Sequence, residues 1–141
     1  PPREIEMPAG LEAALGAHPE QVLASRDLVA VFSCEAQIRE LAPDDAALCQ
    51  LDFFAVVATA PGDDSDFVSR FFGPCVGVDE DPVTGAAHCV LTPYWAKRLG
   101  KTRLHARQVS ARGGDVRCEH RGDRVRLGGT VVDYLVGTIT V

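Results

Sequence analysis

The segment Asp79-Glu80-Asp81-Pro82-Val83-Thr84-Gly85-Ala86-Ala87 joins a run of three acids to the start of the most regular helical pattern in the sequence. Pro82 fixes its own φ and disfavours a helical conformation at Asp81, so the chain enters the helix from an extended segment. Thr84 is a favoured residue type at a helix N-cap. The pattern predicts a helix over Gly85–Leu99.

Apolar side chains cover most of the surface of this predicted helix, which is typical of a buried helix. They are Ala86, Ala87, Val90, Leu91, Tyr94 and Trp95. Pro93 predicts a kink or a restart inside the helix. Only a curved layer buries a helix on most of its faces, so we expect an α+β fold with a curved, mostly antiparallel sheet wrapped around this central helix.

Short apolar or alternating stretches on both sides of the helix predict the strands of that sheet. Before the helix they are Asp27–Phe32, Phe53–Thr59 and Asp66–Phe72; after it they are Arg103–Ser110, Asp115–His120, Arg124–Leu127 and Val131–Ile139, separated by paired glycines or Gly-Asp. Short helices are predicted at Leu11–Leu15, Glu35–Leu41 and Asp44–Gln50. We expect a single domain over residues 1–141, in which residues 1–10 form an extended arm that enters from an upstream segment.

The composition excludes several classes of function. The chain has 141 residues and a net charge of −6, from 20 acids and 14 bases. Binding to nucleic acid or to an anionic membrane surface needs a basic face, so neither partner is expected. No apolar run is long enough to span a bilayer and no signal peptide is visible, which indicates a cytoplasmic protein. The first residue is not Met, and we expect the chain to be a piece of a longer protein.

Cysteine usage argues against a metal centre or a disulfide framework. The five cysteines are Cys34, Cys49, Cys75, Cys89 and Cys118, and no two of them are spaced as Cys-x-x-Cys. We therefore expect free and mostly buried thiols and no metal site.

The start of the predicted helix is the candidate functional site. The first backbone N–H groups of a helix have no partner within it, and here Gly85, Ala86 and Ala87 carry little side chain to block a ligand. Together with the helix dipole, these groups favour a carboxylate or a phosphate. An ordinary N-cap is the alternative. The acids before the helix either stabilise its N-terminus or include a carboxylate that transfers protons.

Several motifs resemble the phenazine-biosynthesis-like (PhzF-like) proteins. They are Phe71-Phe72-Gly73-Pro74, Val78 to His88 with the Asp81-Pro82-Val83-Thr84-Gly85 core, Tyr94-Trp95, and Gln108 followed by Arg112-Gly113-Gly114. The resemblance implies one half of a diaminopimelate-epimerase-like fold, namely the C-terminal half of a cofactor-independent isomerase. In this family two similar halves aim their central helices at a substrate carboxylate in the cleft between them.

The resemblance also implies roles for individual residues. Asp81 corresponds to the pocket aspartate that orients the substrate and assists proton transfer, and the amides of Gly85 and Ala86 correspond to the carboxylate-binding groups. Ala86 replaces a serine that is common in the family, so one hydroxyl contact is lost. The family's principal base, a glutamate, belongs to the other half, and the chain by itself is expected to be inactive.

Two kinds of partner follow from this resemblance. One is the missing N-terminal half, which would complete an enzyme that moves a proton on a small carboxylate-bearing metabolite. The other is a second copy of the chain, in a homodimer that imitates the two halves and binds a carboxylate without turning it over. A scaffold or protein-interaction domain is a third alternative.

Overall fold

A nine-stranded, mostly antiparallel sheet organises the computed structural model, which describes residues 2–140. The strands are β1 Arg3–Glu4, β2 Gln21–Ala24, β3 Leu28–Val31, β4 Val56–Pro61, β5 Phe67–Gly73, β6 Val78–Asp81, β7 Arg103–Gln108, β8 Gly114–Arg121 and β9 Arg124–Gly128. The helices are α1 Leu11–Leu15, α2 Glu35–Glu40, α3 Asp45–Leu48 and α4 Gly85–Leu99. This arrangement confirms the predicted α+β class.

The order of strands in the sheet is β1-β2-β3-β4-β5-β7-β8-β9, with β6 paired to β5. Only β3 with β4 and β5 with β7 pair in parallel, and every other pair is antiparallel. At the N-terminal end, β1 extends the sheet through the pairing of Arg3 with Ala24. The proposed link from residues 1–10 to an upstream segment stays a prediction, and Pro1 and Val141 lie outside the described residues.

Two apolar clusters divide the core, because alternate residues of a strand point to opposite faces of the sheet. Val68 and Phe72 of β5 pack in one cluster with α1, α2 and α3. Phe67 and Phe71 of the same strand pack in the other cluster with α4. The alternation within a single strand therefore assigns each helix to its side of the sheet.

Strand β5 brings two distant segments together along one of its edges. The first half of β5 pairs with β7, where Ser69 lies opposite Gln108. The second half pairs with β6, where Phe71 lies opposite Asp81. Strands β6 and β7 thus run towards each other and both end close to Arg70 of β5. Paired residues share a face of the sheet, so Asp81 and Gln108 both lie on the face that carries α4.

Helix α4 has the predicted bounds and is continuous through Pro93. One stripe of the helix is buried: Ala87, His88, Leu91, Thr92, Trp95 and Ala96. At its N-terminal end, Gly85, Ala86 and Cys89 are exposed. The broad apolar surface seen in the sequence is therefore only partly covered by the described residues, and its complete enclosure by a sheet stays a prediction.

The prediction of a last strand over Val131–Ile139 is wrong. After β9 the chain pairs with no described strand, and its large apolar side chains are at least 84% exposed. They are Val131, Val132, Tyr134, Leu135, Val136 and Ile139. A strand needs an adjacent strand to satisfy its backbone groups, and β-branched composition does not supply one.

The prediction of free, mostly buried thiols is also wrong. Cys49 and Cys75 form a disulfide, with their Cα atoms 5.3 Å apart, because α3 packs against the short 3-10 turn at Pro74–Val76. Of the other cysteines, Cys34 and Cys89 are exposed and only Cys118 is buried. Within residues 2–140, no helix is both long enough and apolar enough to cross a membrane.

Candidate functional site

The carboxylate of Asp81 lies beside Thr84, the N-cap residue of α4. The Thr84 hydroxyl donates a hydrogen bond of 2.6 Å to Oδ2 of Asp81. Thr84 has the extended backbone of an N-cap residue, but its side chain makes no capping hydrogen bond. The expected N-cap is thus correct in position and wrong in side-chain contact, because the hydroxyl is directed to Asp81 and away from the helix amides.

The completely buried side chain of Gln108 fixes the positions of Asp81 and Thr84 through three hydrogen bonds. Its Oε1 accepts a 2.8 Å hydrogen bond from the Thr84 amide. Its Nε2 donates to the Asp81 carbonyl oxygen at 2.6 Å and to the Thr84 hydroxyl at 3.2 Å. A buried amide must satisfy both of its ends, and here every partner lies between Asp81 and Thr84.

The loop after β7 supports the same segment from a second point. The Ser110 hydroxyl donates to the Pro82 carbonyl oxygen at 2.8 Å and accepts from the Gly113 amide at 3.0 Å. Gly113 has a positive φ of 69°, which glycine adopts without strain. At Gly114 a Cβ atom would overlap the Val83 side chain, so the second glycine allows β8 to approach the motif.

The first turn of α4 is left open to solvent. Gly85 and Ala86 are exposed, and no side chain among residues 2–140 caps their amides. A good N-cap usually stabilises a helix by about 1 kcal/mol, so this end is less stable than the sequence would allow. Unpartnered N–H groups and the helix dipole together can hold a small anion.

A depression of about 490 Å³ lies next to this helix end. It is lined by Val83, Gly85, Val116, Leu127 and neighbouring residues of β8 and β9. Its volume is within the range typical of small-molecule sites. A larger depression of about 780 Å³ lies elsewhere, over Arg103, His105 and Glu119. Around it, Arg103 is paired with Glu119 and His105 lies 2.7 Å from Asp115.

On the opposite face of β6, Glu80 anchors the strand that carries Asp81. The Arg70 guanidinium contacts both carboxylate oxygens of Glu80, at 2.7 and 2.9 Å. It also donates to the carbonyl oxygens of Ile38 and Leu41 at the end of α2, at 3.2 and 2.8 Å. Because neighbouring residues of a strand point to opposite faces, fixing Glu80 on one side orients Asp81 towards α4 on the other.

His88, one turn into α4, is a core residue and is fully buried. Its Nδ1 lies 2.7 Å from the Thr84 carbonyl oxygen, whereas its Nε2 has no partner among the described residues. Burial lowers the pKa of His88 below its usual value, against the opposing effect of the hydrogen bond to Thr84. The imidazole is therefore neutral at pH 7, with the proton on Nδ1.

The structure thus brings the predicted site residues Asp81, Thr84, Gly85, Ala86 and Ala87 together around one helix end. Ala87 itself is buried. Gln108 ends β7 and pairs with Gly114 at the β7–β8 hairpin, and its buried side chain contacts Asp81 and Thr84. A polar residue that follows Leu104 and Ala106 on the inward face of β7 is a signal that such contacts exist.

Comparison with known proteins identifies relatives along most of the chain. The profile of the PhzC-PhzF family, described as phenazine biosynthesis-like protein, matches residues 4–137. A protein named as an uncharacterized isomerase from Pseudomonas aeruginosa is 50% identical over 139 residues, which are 98% of this chain and 53% of that protein. A human phenazine biosynthesis-like domain-containing protein is 53% identical over 76 residues, which are 53% of this chain and 26% of that protein.

Solved structures give the same result. A phenazine biosynthesis protein of the PhzF family from Enterococcus faecalis superposes with a TM-score of 0.89 at 46% identity, over 92% of this chain and 50% of that one. A putative PhzC/PhzF protein from Clostridium difficile superposes with a TM-score of 0.88 at 40% identity, over 99% of this chain and 54% of that one. The relatives that match nearly all of this chain are about twice as long as it, so the chain spans about half of their length.

Proposed function

Because the chain belongs to the phenazine biosynthesis-like (PhzF) family, we propose that it is part of a cofactor-independent isomerase that moves a proton on a small carboxylate-bearing metabolite. In this proposal the chain is one half of a diaminopimelate-epimerase-like fold, with the sheet curved around α4 as the central helix. The active site lies in the cleft between this half and a second one.

The open N-terminus of α4 beside Asp81 is the observation that carries this proposal. The amides of Gly85, Ala86 and Ala87 bind the substrate carboxylate, and the depression next to Gly85 accommodates the remainder of a small molecule. Donors fixed before the reaction stabilise the negative charge that develops when a neighbouring C–H loses its proton. Ala86 offers an amide but no hydroxyl, so the backbone provides the recognition at that position.

Asp81 orients the substrate and assists the proton transfer. Its carboxylate is half-buried, and Thr84 holds one of its oxygens at 2.6 Å. A second half of the protein supplies the principal base, a glutamate in this proposal, because in the family that residue belongs to the other half. A second copy of this chain is the alternative partner, in a homodimer that binds a carboxylate without turning it over. The exposed apolar tail at Val131–Ile139 offers a contact for either partner.

Deuterium exchange tests the proposed reaction. The intact protein is incubated in D2O with a panel of small carboxylic acids, and the loss of each C–H proton signal is followed by NMR. We expect Asp81→Asn to slow the exchange about a hundredfold or more, the usual effect of losing a general acid or base.

Asp79→Asn is the matched control, because it removes the same charge from an exposed position on the same strand. We expect this variant to exchange at the unaltered rate. Equal rates for the Asp81 and Asp79 variants would exclude a role of Asp81 in proton transfer.

A further inference from the structure

We propose that Gln108 is the positioning residue of this site, since it turns the Thr84 hydroxyl away from the helix amides and towards Asp81. The inference rests on the function proposed above and extends it to a residue that does not touch the substrate. A single buried carboxamide would then prepare both parts of the site, the free amides and the oriented carboxylate.

The number of available protons supports this assignment. A threonine hydroxyl has one proton to donate and two lone pairs to accept with. The Thr84 proton goes to Asp81 at 2.6 Å, and Gln108 Nε2 donates to the same hydroxyl oxygen at 3.2 Å. With the oxygen held between these two groups, it cannot lie over the amides of the first turn. Threonine in this position ordinarily accepts from such an amide and closes the helix end.

The remaining contacts of Gln108 fix the orientation of its carboxamide. Oε1 accepts from the Thr84 amide at 2.8 Å, and Nε2 donates to the Asp81 carbonyl oxygen at 2.6 Å. A rotation of the carboxamide by 180° would place a donor against a donor at Thr84 and an acceptor against an acceptor at Asp81. The backbone on either side of Pro82 therefore determines which end of Gln108 faces the Thr84 hydroxyl.

The sheet explains why Gln108 is available at this place. It lies opposite Ser69 at the end of β7, and Asp81 lies opposite Phe71 at the end of β6, so both reach the same stretch of the β5 edge. Its side chain has no solvent exposure. A buried amide has few alternative partners, so its contacts are more persistent than those of a surface group.

Gln108→Glu is the variant that tests the proposal. Glutamate has nearly the same shape and keeps the acceptor for the Thr84 amide, but it loses the donors to the Thr84 hydroxyl and the Asp81 carbonyl. The probe is sodium benzoate, titrated into the intact ¹⁵N-labelled protein while the amide signals of Gly85, Ala86 and Ala87 are followed. We expect the dissociation constant to rise about tenfold or more, as for a lost hydrogen bond to a charged group.

Two further measurements separate positioning from a general loss of stability. Three-bond couplings report the χ1 angle of Thr84, which we expect to change in the Gln108→Glu variant. The exposed Gln50→Glu is the matched control for the added charge, and both of its values should equal those of the unaltered protein. A purely structural role of Gln108 would lower the urea midpoint and leave the benzoate dissociation constant of the folded protein unchanged.

The proposal is overturned if Gln108→Glu binds benzoate as tightly as Gln50→Glu and keeps the Thr84 χ1 angle. If benzoate does not shift the three amides of the unaltered protein, the carboxylate site itself is refuted, and the Thr84 χ1 angle then decides the role of Gln108 alone. If Gln108→Glu does not fold, Gln108→Met, which also removes the donors and adds no charge, replaces it in both measurements. Benzoate binding should weaken and the Thr84 χ1 angle should change in the methionine variant, and values equal to those of the unaltered protein would refute the mechanism.

Discussion

Replacing Arg70 by methionine should destabilise the protein strongly, because one guanidinium group joins three parts of the fold. It contacts both carboxylate oxygens of Glu80 and the carbonyl oxygens of Ile38 and Leu41. It also lies over the Phe72 ring, 4.8 Å from its centroid. Methionine fills much of the same volume but leaves four acceptor contacts without a donor.

The magnitude follows from the exposure of the two charged partners. Breaking a buried ion pair costs about 3–5 kcal/mol. The side chains of Arg70 and Glu80 are 13% and 26% exposed, so water can reach part of the abandoned carboxylate. We therefore expect a loss at the lower end, about 3 kcal/mol. With an m-value of about 2 kcal/mol/M, the urea midpoint should fall by about 1.5 M.

Urea unfolding followed by tryptophan fluorescence measures this effect, since Trp95 is fully buried. Arg103→Met is the matched control, because Arg103 is 84% exposed and lies 3.5 Å from Glu119, and its midpoint should stay unchanged. Glu80→Gln should have an intermediate effect, since the contacts of Arg70 to α2 remain. Equal midpoints for Arg70→Met and Arg103→Met would refute the view that Arg70 anchors β6.

Two further predictions concern stability. The pKa of His88 is lowered in the folded state, so the unfolded chain takes up a proton first as the pH falls below about 6.5. The free energy of unfolding should therefore decrease from pH 6.5 towards pH 5. His88→Gln should flatten this slope, whereas the control His105→Gln, at an exposed histidine, should leave it unchanged. A slope that survives in the His88 variant would contradict the assignment. Cys75→Ser should cost about 3 kcal/mol through the loss of a cross-link between cysteines 26 residues apart. The control Cys34→Ser lies at a free, exposed thiol, and identical urea midpoints for the two serine variants would argue against the cross-link.

The sequence was sufficient for those features that depend on local chemistry. Helix α4 runs over Gly85–Leu99 as predicted, because a proline, an N-cap residue type and a terminal glycine mark its ends locally. Strands β7, β8 and β9 were predicted nearly to their bounds, since alternation and paired glycines are also local signals. The grouping of Asp81 with the first turn of α4 follows from their closeness along the chain.

Features that depend on distant partners were missed for one physical reason. The disulfide between Cys49 and Cys75 and the contact of Gln108 with Thr84 both join segments more than twenty residues apart. No strand is predicted at the acids of β6, because their pairing with Phe71 and Phe72 leaves no mark in their own composition. The prediction of a strand at Val131–Ile139 is wrong for the opposite reason. The local composition favours a strand, but no described strand pairs with it.

The uncovered apolar segment after β9 has a consequence for the fate of the chain inside a cell. Chaperones and proteases recognise accessible stretches of apolar residues with unsatisfied backbone groups, which are also the stretches that drive aggregation. Val131–Ile139 presents such a stretch, with Tyr134 fully exposed. Synthesis of this chain with the segment uncovered should therefore end in degradation or inclusion bodies, and a partner that covers the segment should raise the amount that accumulates.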